Sequence, residues 1–267
     1  LVPDFPGAAN FALAFALVLV VAAVSIMIIG AGITTFVAAA TIGLLGFLAA
    51  LVAAFVPGAT PAAVGAGAAA VALAALSMLP RITIQLAGLP LPNVPSGSED
   101  LKEESKFTDF VQIEKRAGRA HEYMTGMIIG CGAIAALGST IAATSGLWGM
   151  LEAAAVAAVL LLRGRAYANG RQAVALLATG LLTAAGLVIG AILLSHGLVM
   201  KLVVLGALVV VAAFALIVGV VFPEKKFSPV LRRSVDVIEA ILIASVLPLA
   251  FAVMNLYMAV RHVHVFG

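Results

Sequence analysis

Eight apolar stretches, at roughly 9–30, 33–56, 61–79, 124–144, 147–162, 172–194, 202–222 and 237–259, constrain this chain more than any other feature. Crossing a bilayer core of about 30 Å takes about 20 apolar helical residues. Every stretch but the short fifth has that length. None can leave its backbone amides and carbonyls unpaired in lipid, so each reads as a transmembrane helix. Composition agrees, with 64% of residues hydrophobic and 10% charged, against about a quarter charged in soluble domains. A soluble fold has nowhere to hide that much apolar surface. The expectation is an all-α polytopic transmembrane helix bundle of about eight spans.

The separators are residues that end helices or turn the chain: Gly30 to Gly32, Pro57-Gly58 with Pro61, Ser145-Gly146, and Pro223 followed by Pro229. One long connection divides the chain into three spans over 1–79, a loop over 80–123 and five spans over 124–267. Within the loop, Leu89, Pro90, Leu91, Pro92, Val94 and Pro95 belong to a proline-spaced segment. It should be extended, because each ring disfavours helix at the preceding residue. The loop then becomes polar and mixed in sign, and 110–123 reads as a helix that runs into the fourth span.

Placing the spans in order puts 13 Lys and Arg on one side and 2, Lys201 and Arg261, on the other. The positive-inside tendency therefore puts the 80–123 loop and the turns at 163–171 and 223–235 in the cytoplasm, with both ends of the chain outside. Against that asymmetry the formal charge of +3 says little, and nothing indicates nucleic-acid binding. The single cysteine, Cys131, lies in an apolar stretch, which excludes an internal disulfide and a thiolate metal cluster. Leu1 opens the chain without an initiator methionine, and 1–10 lacks the basic start and cleavage site of a signal peptide. The numbering is expected to begin inside a longer protein.

A charge at the centre of a span costs about 2.5–3.5 kcal/mol on insertion scales, so any such residue is a functional candidate. Glu152 is the one that qualifies. It reads as an acid near a helix N-terminus, favoured by the dipole and close to water; the rival reading, a proton or cation relay, would want several acids at depth. Asp236 and Glu239 are three apart and share a helix face one turn after Arg232 and Arg233. They are either a capped helix start with arginines at the membrane surface, or a charged patch that docks a cytosolic partner. His262 and His264 lack a third ligand nearby, so no metal site is expected. Phosphate-binding loop, nucleophile elbow and zincin motif are all missing, which points to no catalytic residue, no cofactor and no ATP hydrolysis by this chain alone. Gly126 with Gly130, and Gly186 with Gly190, have the spacing that lets helices approach closely.

Two strings carry a family resemblance. Pro80-Arg81-Ile82-Thr83-Ile84-Gln85-Leu86-Ala87-Gly88-Leu89-Pro90-Leu91-Pro92-Asn93-Val94-Pro95, leaving a span for an acidic loop, resembles the segment after the sixth helix of EccD, the multi-spanning subunit of type VII (ESX) secretion systems. Ser228-Pro229-Val230-Leu231-Arg232-Arg233-Ser234-Val235-Asp236-Val237-Ile238-Glu239, continuing to Val246-Leu247-Pro248-Leu249-Ala250 and Leu256-Tyr257-x-x-Val260-Arg261, is similar to the last helix of that family.

The resemblance implies a cytosolic ubiquitin-like domain followed by eleven helices, of which this chain would supply helices four to eleven. It also implies a non-enzymatic subunit of the bacterial inner membrane, pairing with a second copy around a membrane cavity, in contact with lipids and assembled with EccB, EccE and the ATPase EccC. Arg232, Arg233, Asp236 and Glu239, with the proline-spaced segment of Leu89, Pro90, Leu91, Pro92, Val94 and Pro95, are the expected docking residues. The rival is a secondary transporter or permease, disfavoured by the lack of paired acids at depth and of a duplicated half.

Overall fold

The computed structural model describes residues 7–87, 110–194, 197 and 229–256. Among them there are seven α-helices and no strand: α1 Ala8–Ile29, α2 Ile33–Phe55, α3 Pro61–Ala87, α4 Phe110–Ala143, α5 Leu147–Gly164, α6 Gly170–Leu194 and α7 Pro229–Val253. All seven contain a segment long and apolar enough to cross a membrane. The span expected over 202–222, the proline-spaced segment at 89–95 and the pair His262 and His264 lie outside the described residues.

Local chemistry explains the helix ends. Gly30 and Gly32 turn α1 into α2 at φ values of 63° and 67°, a left-handed region that most side chains disfavour. Pro61 opens α3, where its missing N–H would have had no helical partner, and the Thr60 hydroxyl accepts the amide of Ala63 at 3.2 Å. Asn169 caps α6 in a similar way, its Oδ1 accepting the amide of Arg171 at 3.0 Å.

The boundary expected at 79 does not end a helix, because α3 continues through Pro80 to Ala87. Leu79 and Thr83 are both buried there. The Thr83 hydroxyl donates to the carbonyls of Leu79 at 2.9 Å and Pro80 at 3.0 Å. Packing by neighbouring helices lets a membrane helix tolerate an internal proline, although the carbonyls that Thr83 reaches are not that of Leu76, which the missing Pro80 amide leaves without its helical donor.

α4 is the central post, packed against α2, α3, α5 and α6. Its 34 residues extend about 50 Å at 1.5 Å per residue, so its first turns project beyond the hydrocarbon core on the side of the 80–123 loop. Close approach is built into it. A Cβ added at Gly126 would lie 2.6 Å from the Thr34 carbonyl of α2, at Gly130 2.5 Å from Thr41 Cβ of α2, and at Gly138 2.5 Å from the Gly65 carbonyl of α3. At Gly132 it would lie 2.8 Å from Thr179 Oγ1 of α6. The spaced pair Gly126 and Gly130 thus forms one seam with α2, whereas Gly186 of α6 closes on Thr140 and Gly190 makes an ordinary contact with Ala143. Around this post, Leu73, Leu76 and Leu79 of α3 meet Ile128, Cys131 and Ile134 of α4 and Val156, Val159 and Leu160 of α5 in the main buried cluster. A smaller one joins Ala62 and Ala66 of α3 to Ala142 of α4 and Ala250 and Val253 of α7.

Candidate functional site

Charged side chains gather at the end of α5. Its C-cap residue Arg165 donates from Nη2 to Asp236 Oδ1 at 2.6 Å and to Glu239 Oε2 at 3.4 Å, both on α7. Two acids spaced by three face the same way on a helix, so α7 presents a pair of carboxylates to one guanidinium. Side-chain exposure is 33% for Arg165, 63% for Asp236 and 16% for Glu239. A bridge this open to solvent contributes at most about 1 kcal/mol; its larger effect is to hold the start of α7 against the end of α5. Two residues earlier, Arg163 donates from Nη2 to Ser77 Oγ of α3 at 3.0 Å. The last turn of α5 is therefore tied to two other helices on the side that carries most of the lysines and arginines.

This arrangement changes the reading of the acids. On sequence, Asp236 and Glu239 were neighbours for Arg232 and Arg233 of their own helix; in the fold their ion-pair partner is Arg165. Arg233 is exposed and forms no ion pair among the described residues. Arg232 lies within α7, its side chain outside the described set, and Leu89, Pro90, Leu91, Pro92, Val94 and Pro95 lie outside it altogether. Arg163 and Arg165 counted in the sequence only as topological charges, since no local signal links them to groups on α3 or α7.

Glu152 is not close to water. It is fully buried, and neither carboxylate oxygen has a hydrogen-bond partner. Spacing explains the burial: Val156, Val159 and Leu160 follow it on one helical stripe and pack in the main core, and Arg163 closes the same stripe with a buried, unpartnered Nη1. The dipole argument concerned the helix end; the packed face overrode it. A relay would need a next group to receive the proton, and none bonds to Glu152 among the described residues.

The other buried polar groups are satisfied close to home. Thr179 and Thr183 donate to carbonyls of their own helix, as does Ser139, while Gln172 of α6 reaches Thr125 of α4 at 3.4 Å. No group of three His, Cys, Asp or Glu able to hold a metal ion occurs among the described residues. Of these groups, only Gln172 and Thr125 bond across two helices.

Comparison with known proteins adds the following. A family model for the EccD-like transmembrane domain matches residues 1–263. The chain is 29% identical over 270 residues to the ESX-4 secretion system protein eccD4 of Mycobacterium tuberculosis, covering 98% of this chain and 56% of that protein. It is 26% identical over 286 residues to the ESX-5 secretion system protein EccD5 of the same organism, covering 97% and 56%. It thus spans about half the length of these curated relatives. In fold it is similar to protomer 1 of the ESX-3 core complex, with a TM-score of 0.76 and 22% identity over 97% of this chain and 59% of that one. A chain of the MycP5-free ESX-5 inner membrane complex gives a TM-score of 0.64 and 23% identity over 80% and 50%.

Proposed function

The chain belongs to the EccD-like transmembrane domain family, and from that premise we propose that it is the membrane-embedded part of a core subunit of a type VII secretion complex. The observation that carries this reading is the family match over residues 1–263. The helical geometry supports a scaffold: glycines of α4 bring it into close contact with α2, α3 and α6, and Arg163 and Arg165 tie the end of α5 to α3 and α7. In this reading two copies surround a membrane cavity, EccB-, EccC- and EccE-type subunits assemble around them, and the energy comes from the EccC ATPase while this chain hydrolyses nothing.

The 13 to 2 split of basic residues supports an orientation with the 80–123 loop in the cytoplasm and the C-terminus outside. Arg232, Arg233, Asp236 and Glu239, with Leu89, Pro90, Leu91, Pro92, Val94 and Pro95, are then the residues offered to cytosolic subunits, Asp236 and Glu239 being also bridged to Arg165.

Co-purification from native membranes tests the reading. A tagged chain is expected to bring down a large multi-subunit assembly that includes an ATPase. Recovery as an isolated small oligomer, stabilised by a small-molecule substrate, would replace it with a transporter. For the docking surface, Arg232→Lys with Arg233→Lys keeps the charge but removes bidentate guanidinium geometry. The double variant should insert normally and lose cytosolic subunits on purification; full retention would reduce the patch to a topological anchor.

A further inference from the structure

An open cavity of about 590 Å³ lies where the α1–α2 turn meets the projecting start of α4, lined by Gly30, Ile33, Lys115, Gly118, Arg119 and Glu122. Lys115 and Arg119 are four apart and so stand on one face of α4, both exposed, with no ion pair among the described residues. Opposite them is the N-terminus of α2, which has no side-chain cap. The amides of Thr35 and Phe36 are taken by the Gly32 carbonyl, and that of Ile33, which lines the cavity, has no backbone acceptor among the described residues. Two cations and the positive end of a helix meet at one opening. Glu122 also lines it, so the side chains sum to a single positive charge.

What lies next to the cavity selects its ligand. The last turn of α1 presents Met27, Ile28 and Ile29, exposed by 86%, 78% and 56%, directly before Gly30. A basic opening bordered by an apolar, outward-facing helix suits a molecule that is anionic at one end and aliphatic at the other. We propose that this cavity binds the phosphodiester headgroup of an anionic phospholipid at the membrane surface, with Lys115 and Arg119 on the phosphate oxygens, the N-terminus of α2 at Ile33 beside them, and the acyl chains lying along α1. A soluble anion would gain nothing from Met27, Ile28 and Ile29. The net single positive charge of the walls matches a monoanionic phosphodiester better than a multiply charged one.

The site is separate from the Arg165 bridge and does not depend on the secretion reading, only on α1, α2 and α4 spanning the membrane. The test reconstitutes the full chain into nanodiscs of equal phosphatidylglycerol and phosphatidylcholine, extracts it in neutral detergent and counts the retained lipids by mass spectrometry. Wild-type chain should retain phosphatidylglycerol in preference to phosphatidylcholine, and millimolar inorganic phosphate should not displace it. Lys115→Gln with Arg119→Gln should lower that preference by about tenfold or more, taking about fivefold for each cation near an anionic surface, whereas Lys115→Arg with Arg119→Lys should keep it.

If the double Gln chain does not insert, Gly118→Glu takes its place. A side chain at Gly118 meets open space, so the new carboxylate would enter the cavity without a clash, and Gly118→Ala is its control. An unchanged preference in a correctly inserted double Gln or Gly118→Glu chain overturns the proposal. Displacement of the lipid by inorganic phosphate would make this a site for a soluble anion instead. An acidic peptide that excludes phosphatidylglycerol through the same two cations would assign it to a protein partner.

Discussion

α1 is the most apolar of the seven helices by mean hydropathy, yet only 11% of its spanning window is buried in the fold; the window in α4 is less apolar and 72% buried. In a water-soluble protein that order would be reversed. In lipid there is no hydrophobic gain when one apolar helix leaves acyl chains for another, so burial goes to helices whose surfaces can approach closely. α4 has glycines facing α2, α3 and α6. α1 has none, and points Leu13, Leu17, Met27 and Ile28 outward. Where α1 does pack, the notches are on its neighbour: a Cβ at Gly43 of α2 would lie 2.8 Å from the Leu19 amide, and one at Gly46 2.5 Å from the Phe15 ring.

The contrast predicts where the molecule is fragile. Gly138→Val should have the largest effect, because its Cβ would fall 2.5 Å from the Gly65 carbonyl of α3, a backbone atom that cannot rotate away. Overpacking of this kind costs about 1–3 kcal/mol, and more if helices must separate. Unfolding in detergent measures it, and a wild-type transition for Gly138→Val would show that α4 is not the tightly packed post.

Glu152→Met comes next. If burial without a partner is a burden on α5, the apolar replacement of similar size should raise stability by about 1–3 kcal/mol, the usual penalty of an unsatisfied buried polar group. On the proposed secretion reading, Glu152→Gln should leave export largely intact. A Met variant that is less stable than wild type would mean that the carboxyl has a partner the fold depends on.

Smaller still is the bridge between α5 and α7. A double-mutant cycle of Arg165→Gln and Asp236→Asn should give a coupling of about 0.2–1 kcal/mol, falling with added salt, because the pair is largely exposed. A coupling several times larger would place this bridge in a drier setting than its exposure shows. At the bottom of the scale, Leu13→Ile with Leu17→Ile on α1 should stay within about 0.5 kcal/mol of wild type. A larger loss, seen in the complex and not in the isolated chain, would locate a protein neighbour on that face and sharpen the difference between α1 and α4.

The sequence alone determined that the chain crosses a membrane as helices and where most of the helices lie, and it carried the two strings that resemble the EccD family. Transfer into lipid is a property of each segment by itself, so hydropathy and glycine turns could be read locally. Tertiary structure decided the rest. Pro80 sits inside α3 because Leu79 and Thr83 are packed; Glu152 is dry because its stripe faces the core. Asp236 and Glu239 meet Arg165 across 71 and 74 residues of sequence. Which helices become neighbours depends on steric fit between small residues on one and larger ones on another, and no periodicity within a single helix encodes the surface it will meet.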